Sequence, residues 1–136
     1  MTKSKLAIAA AFAAGTLFGA LGIQSLNAQQ PGFKRAVLQK QELSAPGRDA
    51  VVATAEFAPG VAAGRHTHPG EELSYVLEGT ILLEVDGRAP RTLKAGDVFF
   101  IEPGKIHDGK NVGNGPAKVL ATYIVERGKP VATPAQ

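Results

Sequence analysis

Three histidines carry the first chemical signal in this chain: His66, His68 and His107, with no others anywhere in it. His66 and His68 are two apart, so on an extended strand both imidazoles face the same side. Glu72 follows four residues after His68, past a Pro69-Gly70 break that lets the chain turn back. His107 lies much further along, just after Pro103-Gly104. Imidazole nitrogens and a carboxylate suit a borderline or hard divalent cation, and four protein ligands leave coordination positions for water or substrate. The same spacing also fits a surface strand carrying singly hydrogen-bonded histidines. Cysteine is absent, which removes thiol nucleophiles, thiolate ligands and disulfides.

The elements that must hold these side chains are short and apolar. Arg35 to Gln39, Ala50 to Phe57, Glu72 to Glu78, Ile81 to Val85, Val98 to Ile101 and Ala117 to Val125 form runs rich in Val, Ile, Phe, Tyr and Thr, separated by Gly, Pro, Asn and Asp. Asp86-Gly87 between two such runs is a tight-turn signal. No segment past Pro31 sustains a 3.6-residue apolar period. The fold class is therefore all-β, a sandwich or a barrel, and periodicity alone does not choose between them.

The N-terminus reads differently. Lys3 and Lys5 precede an uncharged, mostly apolar run from Leu6 to Ile23, followed by Ser25-Leu26-Asn27-Ala28. Basic start, apolar stretch and small residue at the end are the parts of an export signal. Residues 1–28 are assigned to it, with cleavage after Ala28 and a periplasmic or secreted protein as the outcome. The alternative is an uncleaved N-terminal membrane anchor facing outside the cytoplasm. Cleavage leaves a domain with no stable membrane insertion. It also takes away two lysines and no acid, so the formal net charge falls from +3 to +1. With no Lys/Arg cluster in the remainder, nucleic acid is excluded as a partner. Residues 29–34 are expected as a mobile N-terminal segment, 35–126 as one barrel domain and 127–136 as a flexible C-terminal tail.

The residues around the histidines resemble the cupin superfamily, small single-domain type. Gly60, His66, His68, Glu72 and Gly79 meet every spacing of its first motif, G-x5-H-x-H-x3-E-x6-G, and Tyr75-Val76-Leu77-Glu78-Gly79 is similar to its usual Y-V-L-x-G run. Gly96, Gly104, His107 and Asn111 match the second motif, G-x5-P-x-G-x2-H-x3-N. The departure is the proline: Glu102 stands in its place and Pro103 follows, which keeps a rigid residue in the turn and brings Glu102 toward the site mouth. The resemblance covers residues 35–126. It implies a double-stranded β-helix, a jelly-roll barrel, with one divalent transition metal (Fe, Mn, Ni, Zn or Cu) held by His66, His68, Glu72 and His107. Gly60, Gly79 and Gly96 then mark turns, and Asn111 is a turn or supporting hydrogen-bond partner. Glu71 faces away from the site, and Arg65 faces solvent.

Such a metal polarises a substrate oxygen or, as iron or manganese, activates O2. The resemblance thus implies a metal-dependent small-molecule enzyme, an oxidoreductase of dioxygenase type or an isomerase, in the cell envelope. The rivals are a non-catalytic module binding a small molecule or metal, and an empty barrel with a protein partner. A homodimer is compatible with either. With no fourth histidine, the candidate catalytic residues for proton movement are Glu72, Tyr123 and Glu102. Ser74 and Val76 share the face of Glu72, and either Phe99 or Phe100 points inward.

Overall fold

The computed structural model describes residues 30–136, so the export signal assigned to 1–28 lies outside the described residues. The described chain forms ten strands: β1 (Phe33–Glu42), β2 (Arg48–Phe57), β3 (His66–Thr67), β4 (Gly70–Glu78), β5 (Thr80–Val85), β6 (Arg91–Lys94), β7 (Val98–Ile101), β8 (His107–Asn111), β9 (Ala117–Glu126) and β10 (Thr133–Pro134). In β9 every second residue is buried, from Ala117 through Val119, Ala121 and Tyr123 to Val125. That is the period-two signature of a strand with one face in a core. Among the described residues no helix is long and apolar enough to cross a membrane.

The strands make two antiparallel sheets, ordered β1-β2-β9-β4-β7 and β10-β3-β8-β5-β6. The chain passes back and forth between them, which is the double-stranded β-helix. Phe33, Phe57, Val76, Ile81, Leu83 and Ile101 belong to the main core cluster. A smaller cluster of Val51, Ala53, Ala121, Tyr123 and Val125 lies apart from it, with Val131 packed against it.

Both ends of the described residues correct the sequence expectation. Residues 33 and 34 are not part of a mobile segment but begin β1, and the Phe33 ring packs 5.0 Å from that of Phe57. The C-terminal residues, expected as a flexible tail, pair into the second sheet instead, with Thr133 opposite Thr67 and Pro134 opposite His66. The short strands β3, β6, β8 and β10 gave no apolar run to read. In β8 the buried positions are His107 and Asn111, so a strand is present without a hydrophobic alternation.

Two turns matter for the site. Lys105 N–H donates to the Glu102 carbonyl (3.2 Å), and Gly104 has φ of 70°, a turn with Pro103 at its second position and the left-handed residue at its third. The displaced proline is thus compatible with a type II turn. Gly79, between β4 and β5, has φ of 80°, and a Cβ there would stand 2.6 Å from the Pro116 carbonyl oxygen. Gly60 and Gly96 also lie at positive φ, as the motif implied.

Candidate metal centre

The centre is built between the two sheets. In the β3–β8 pair His66 lies directly opposite His107, so two residues far apart in sequence become cross-strand neighbours. His68 follows β3, its carbonyl accepting from the Gly104 N–H (2.9 Å), which ties it to the turn before β8. Glu72 comes from the other sheet, between Ile101 of β7 and Tyr123 of β9. On β4 the residues Glu72, Ser74 and Val76 are buried while Leu73, Tyr75 and Leu77 are exposed, so the carboxylate points inward.

All four side chains are buried. Glu72 Oε2 lies 2.9 Å from His68 Nε2 and 3.2 Å from His107 Nε2. Ser74 Oγ donates to Glu72 Oε1 at 2.6 Å. His66, His68 and His107 each offer a donor nitrogen, and these lie within 4.8 Å of one another. The opposite ring nitrogens are all engaged by backbone. His66 Nδ1 donates to the Gly64 carbonyl (2.6 Å), His68 Nδ1 to that of Val131 (2.5 Å) and His107 Nδ1 to that of Lys105 (2.9 Å). A carbonyl only accepts, so each Nδ1 carries the proton and the tautomer is set by its partner.

A neutral imidazole has one N–H, and here it is spent on a carbonyl. Nε2 lone pairs of His68 and His107 therefore face a carboxylate oxygen, a contact that repels unless a proton or a cation lies between them. His68 Nε2, wholly buried, has no hydrogen-bond partner although Glu72 Oε2 is within reach. Neighbouring donors on a metal with bonds of about 2.1 Å stand about 3.0 Å apart on an octahedral sphere, which the carboxylate-to-imidazole distances match. The residues present fit a divalent metal ion.

Electrostatics points the same way. Burial, reinforced by the neighbouring His107, lowers the His66 pKa to about 3, so this ring stays neutral and its Nε2 lone pair is open to a cation. Burial pushes the Glu72 carboxyl up, but hydrogen bonds from His107 and His68 when these rings carry a second proton, and from Ser74, outweigh that and hold it below the usual carboxylate range. Tyr123, its ring 4.6 Å from that of His68, is pushed up to about 12 by burial and by the Glu72 charge.

The remaining sequence candidates separate. Tyr123 lines the cavity beside the histidines, and Phe99, not Phe100, is the aromatic that joins it. Glu102 does not line that cavity: it pairs with Arg88 at the surface, which removes it from the candidate catalytic set. Asn111 is fully buried and bonds the Phe57 and Gly115 carbonyls and the Gly113 N–H, a turn support and not a ligand. Arg65 is exposed and pairs with Asp86 at 2.9 Å. Two participants were missed. Arg35 borders both the inner cavity and a wider cleft of about 310 Å³ outside it, its Cζ 5.4 Å from the Phe33 ring and 5.9 Å from that of Tyr123. Alternation with Phe33 was its only signal. Val131 acts through a backbone carbonyl, which no sequence pattern reports.

Comparison with known proteins agrees with this geometry. The family described as "Cupin domain" matches residues 53–123, and the chain belongs to it. It is a cupin whose buried histidine triad can hold a metal ion. Over 73 residues it is 40% identical to germin-like protein subfamily 2 member 1 of Arabidopsis thaliana, covering 50% of this chain and 33% of that protein. Over 71 residues it is 37% identical to an oxalate-binding protein of Thermotoga maritima, covering 52% and 58%. The chain thus spans about a third of the first of these relatives. Among solved structures, a double-stranded β-helix protein of Klebsiella pneumoniae superposes with a TM-score of 0.66 at 22% identity, covering 79% of this chain and 88% of that one.

Proposed function

We propose that the protein is a metal-dependent enzyme of dioxygenase or isomerase type, working outside the cytoplasm on a small oxygen-rich anion. The observation that carries the reading is the set of Nε2 lone pairs turned toward Glu72 with every Nδ1 already bound to backbone. Such a centre calls for a cation. The metal, when bound, would supply Lewis-acid activation of a substrate oxygen or, as iron or manganese, reactivity with O2.

The chain's own residues supply the rest. His66, His68, Glu72 and His107 would hold the metal, and Ser74 keeps Glu72 in one rotamer through the bond to Oε1. Tyr123 keeps its phenolic proton at neutral pH, so it serves as a hydrogen-bond donor and not as a general base. Glu72 then remains the candidate for moving a proton. Phe33, Phe99 and Ile81 wall the cavity and limit water. Arg35 sets a positive charge at the threshold, which favours an anionic ligand. The name of the oxalate-binding relative is in line with that class.

A second reading, a metal-binding module without catalysis, is favoured by the small size of the inner cavity. The inner cavity holds only about 40 Å³, against roughly 300–1,000 Å³ for sites that enclose larger ligands. Only a compound of a few heavy atoms fits without movement. One experiment separates the two. Small bidentate oxygen ligands should bind the iron- or manganese-loaded protein more tightly than matched monodentate ones, and His66→Ala with metal restored should lose that preference. Equal binding by both proteins makes the module the better reading, and oxygen uptake with the same panel tells an oxygenase from an isomerase.

A further inference from the structure

We infer that residues 130–136 are a working part of the metal centre, with the Val131 carbonyl as the group that positions His68. The inference rests on the metal-binding reading and concerns how that site is kept in shape.

The three histidines are not supported alike. His66 and His107 each donate Nδ1–H to the carbonyl two residues earlier, Gly64 and Lys105, so their orientation is secured within one turn of chain. His68 donates instead to Val131, 63 residues away. Ligating histidines normally have their second nitrogen held in this way, and that partner fixes both tautomer and ring plane. For His68 the partner arrives only if the end of the chain docks.

Docking depends on the strand that carries the ligands. β3 is two residues long and pairs with β8 through a single position, His66 opposite His107. On its other edge β10 supplies two positions, Thr133 opposite Thr67 and Pro134 opposite His66. Ala135 N–H adds a bond to the Arg65 carbonyl at 2.9 Å. Val131 itself packs against the cluster containing Tyr123, whose ring lies against His68. The segment thus grips the ligand strand along its free edge and orients one ligand directly. Ala132, Pro134 and Ala135 also line the outer cleft that His66 and Arg35 border. Metal and segment stabilise each other, because any group that favours the ligated rotamer of His68 favours both.

Two variants test this, on the full chain and on one ending at Lys129. Zinc affinity is read by competition with a chelator, melting temperature is read with and without zinc, and the imidazole N–H resonances of the zinc form are read by NMR. Truncation should weaken zinc by about 10- to 100-fold, shrink the melting-temperature gain from zinc, and remove the His68 resonance while those of His66 and His107 persist. The second variant, Thr67→Cys with Thr133→Cys, uses the absence of native cysteine. Directly opposed residues of an antiparallel pair are about 4.5–5.5 Å apart, within disulfide range. With manganese, which thiols bind poorly, the oxidised form should release metal several-fold more slowly than the reduced form. Zinc affinity within twofold of the full chain, or an equal melting-temperature loss with and without zinc, makes the segment merely structural and overturns the proposal. If truncation prevents folding, equal manganese release from oxidised and reduced forms does the same. A full chain that binds neither metal overturns the metal-centre reading itself, an outcome set apart by this control.

Discussion

Strand β4 has two faces that break the usual rule in opposite directions. An antiparallel sheet over a core normally turns apolar residues in and polar residues out. Here Glu72 and Ser74 point inward beside buried Val76, while Leu73 (47% exposed), Tyr75 (44%) and Leu77 (44%) point outward. Val98 and Phe100 of the neighbouring β7 extend the outer apolar surface. The inner exception is answered within the fold. Glu72 has Ser74, His68 and His107 around it, and each histidine has a carbonyl behind it. Burying these groups costs less than burying isolated ones because each has a partner or a place for a cation. The outer exception asks nothing of the fold, since exposed apolar area is penalised only by water. One alternation therefore serves chemistry on one side and surface character on the other.

The largest expected effect separates the faces by pH. In the unfolded chain His66 takes up a proton as pH falls through about 6.5, whereas in the folded metal-free centre it resists until about 3. Between those values the unfolded state binds more protons, so stability is lost on acidification and is fully present above the unfolded value. His66 alone should cost the metal-free protein about 1.4 kcal/mol per pH unit through this window, and the depressed Glu72 carboxyl adds to the loss once the pH falls below its ordinary value. Denaturant melts at pH 7, 5 and 4 check it. A flat profile would mean the inner face is open to water.

Next comes His107→Ala, which removes the ligand opposite His66 and leaves a void where two sheets meet. Metal affinity should fall by at least ~100-fold, with about 1–3 kcal/mol of stability lost in the metal-free state. Chelator competition and denaturant melts measure the two. Glu72→Gln keeps shape and removes charge, and should weaken metal by at least ~10-fold. Glu71→Gln, one residue along and on the other face, should change it less than twofold. If Glu71→Gln strips the metal and Glu72→Gln does not, the inward face of β4 has been misassigned.

The cluster of His66, His68, Glu72 and His107 was legible because metal chemistry needs fixed residue types at fixed intervals, and β9 because Ala117 to Val125 is an unbroken run rich in Val, Tyr, Ile and Thr. β8 was not, because its inward side chains are His107 and Asn111, a candidate ligand and a turn support, so hydrophobic periodicity had nothing to detect. Whether Phe99 or Phe100 turns in was undetermined until the register set Phe99 opposite Ser74, whose face is known from Glu72. Glu102 was placed near the site from one shifted proline. The type II turn absorbs that shift and sends the carboxylate to Arg88. The C-terminal segment was misread because Gln and Pro suggest mobility, and a contact made by a backbone carbonyl leaves no trace in side-chain type.

The smallest expected effect belongs to the outer face and is the sharpest test of its independence. Leu73 and Phe100 are opposite one another across β4 and β7, each about half exposed. Replacing either with lysine puts a charge next to the strand that carries Glu72, one residue from the ligand in the case of Leu73. The lysine stem can lie along the apolar surface that the original side chain covered while its ammonium reaches water. The packing loss should therefore stay below about 1 kcal/mol. Electrostatics adds little, because a solvated ammonium is screened over about 8–10 Å and lies across the sheet from the ligands. Leu73→Lys and Phe100→Lys should thus keep metal affinity within twofold of the parent chain by chelator competition. A tenfold loss in either would show that the ligand geometry of Glu72 depends on what covers the outer face, and the two sides of β4 would have to be treated as one coupled unit.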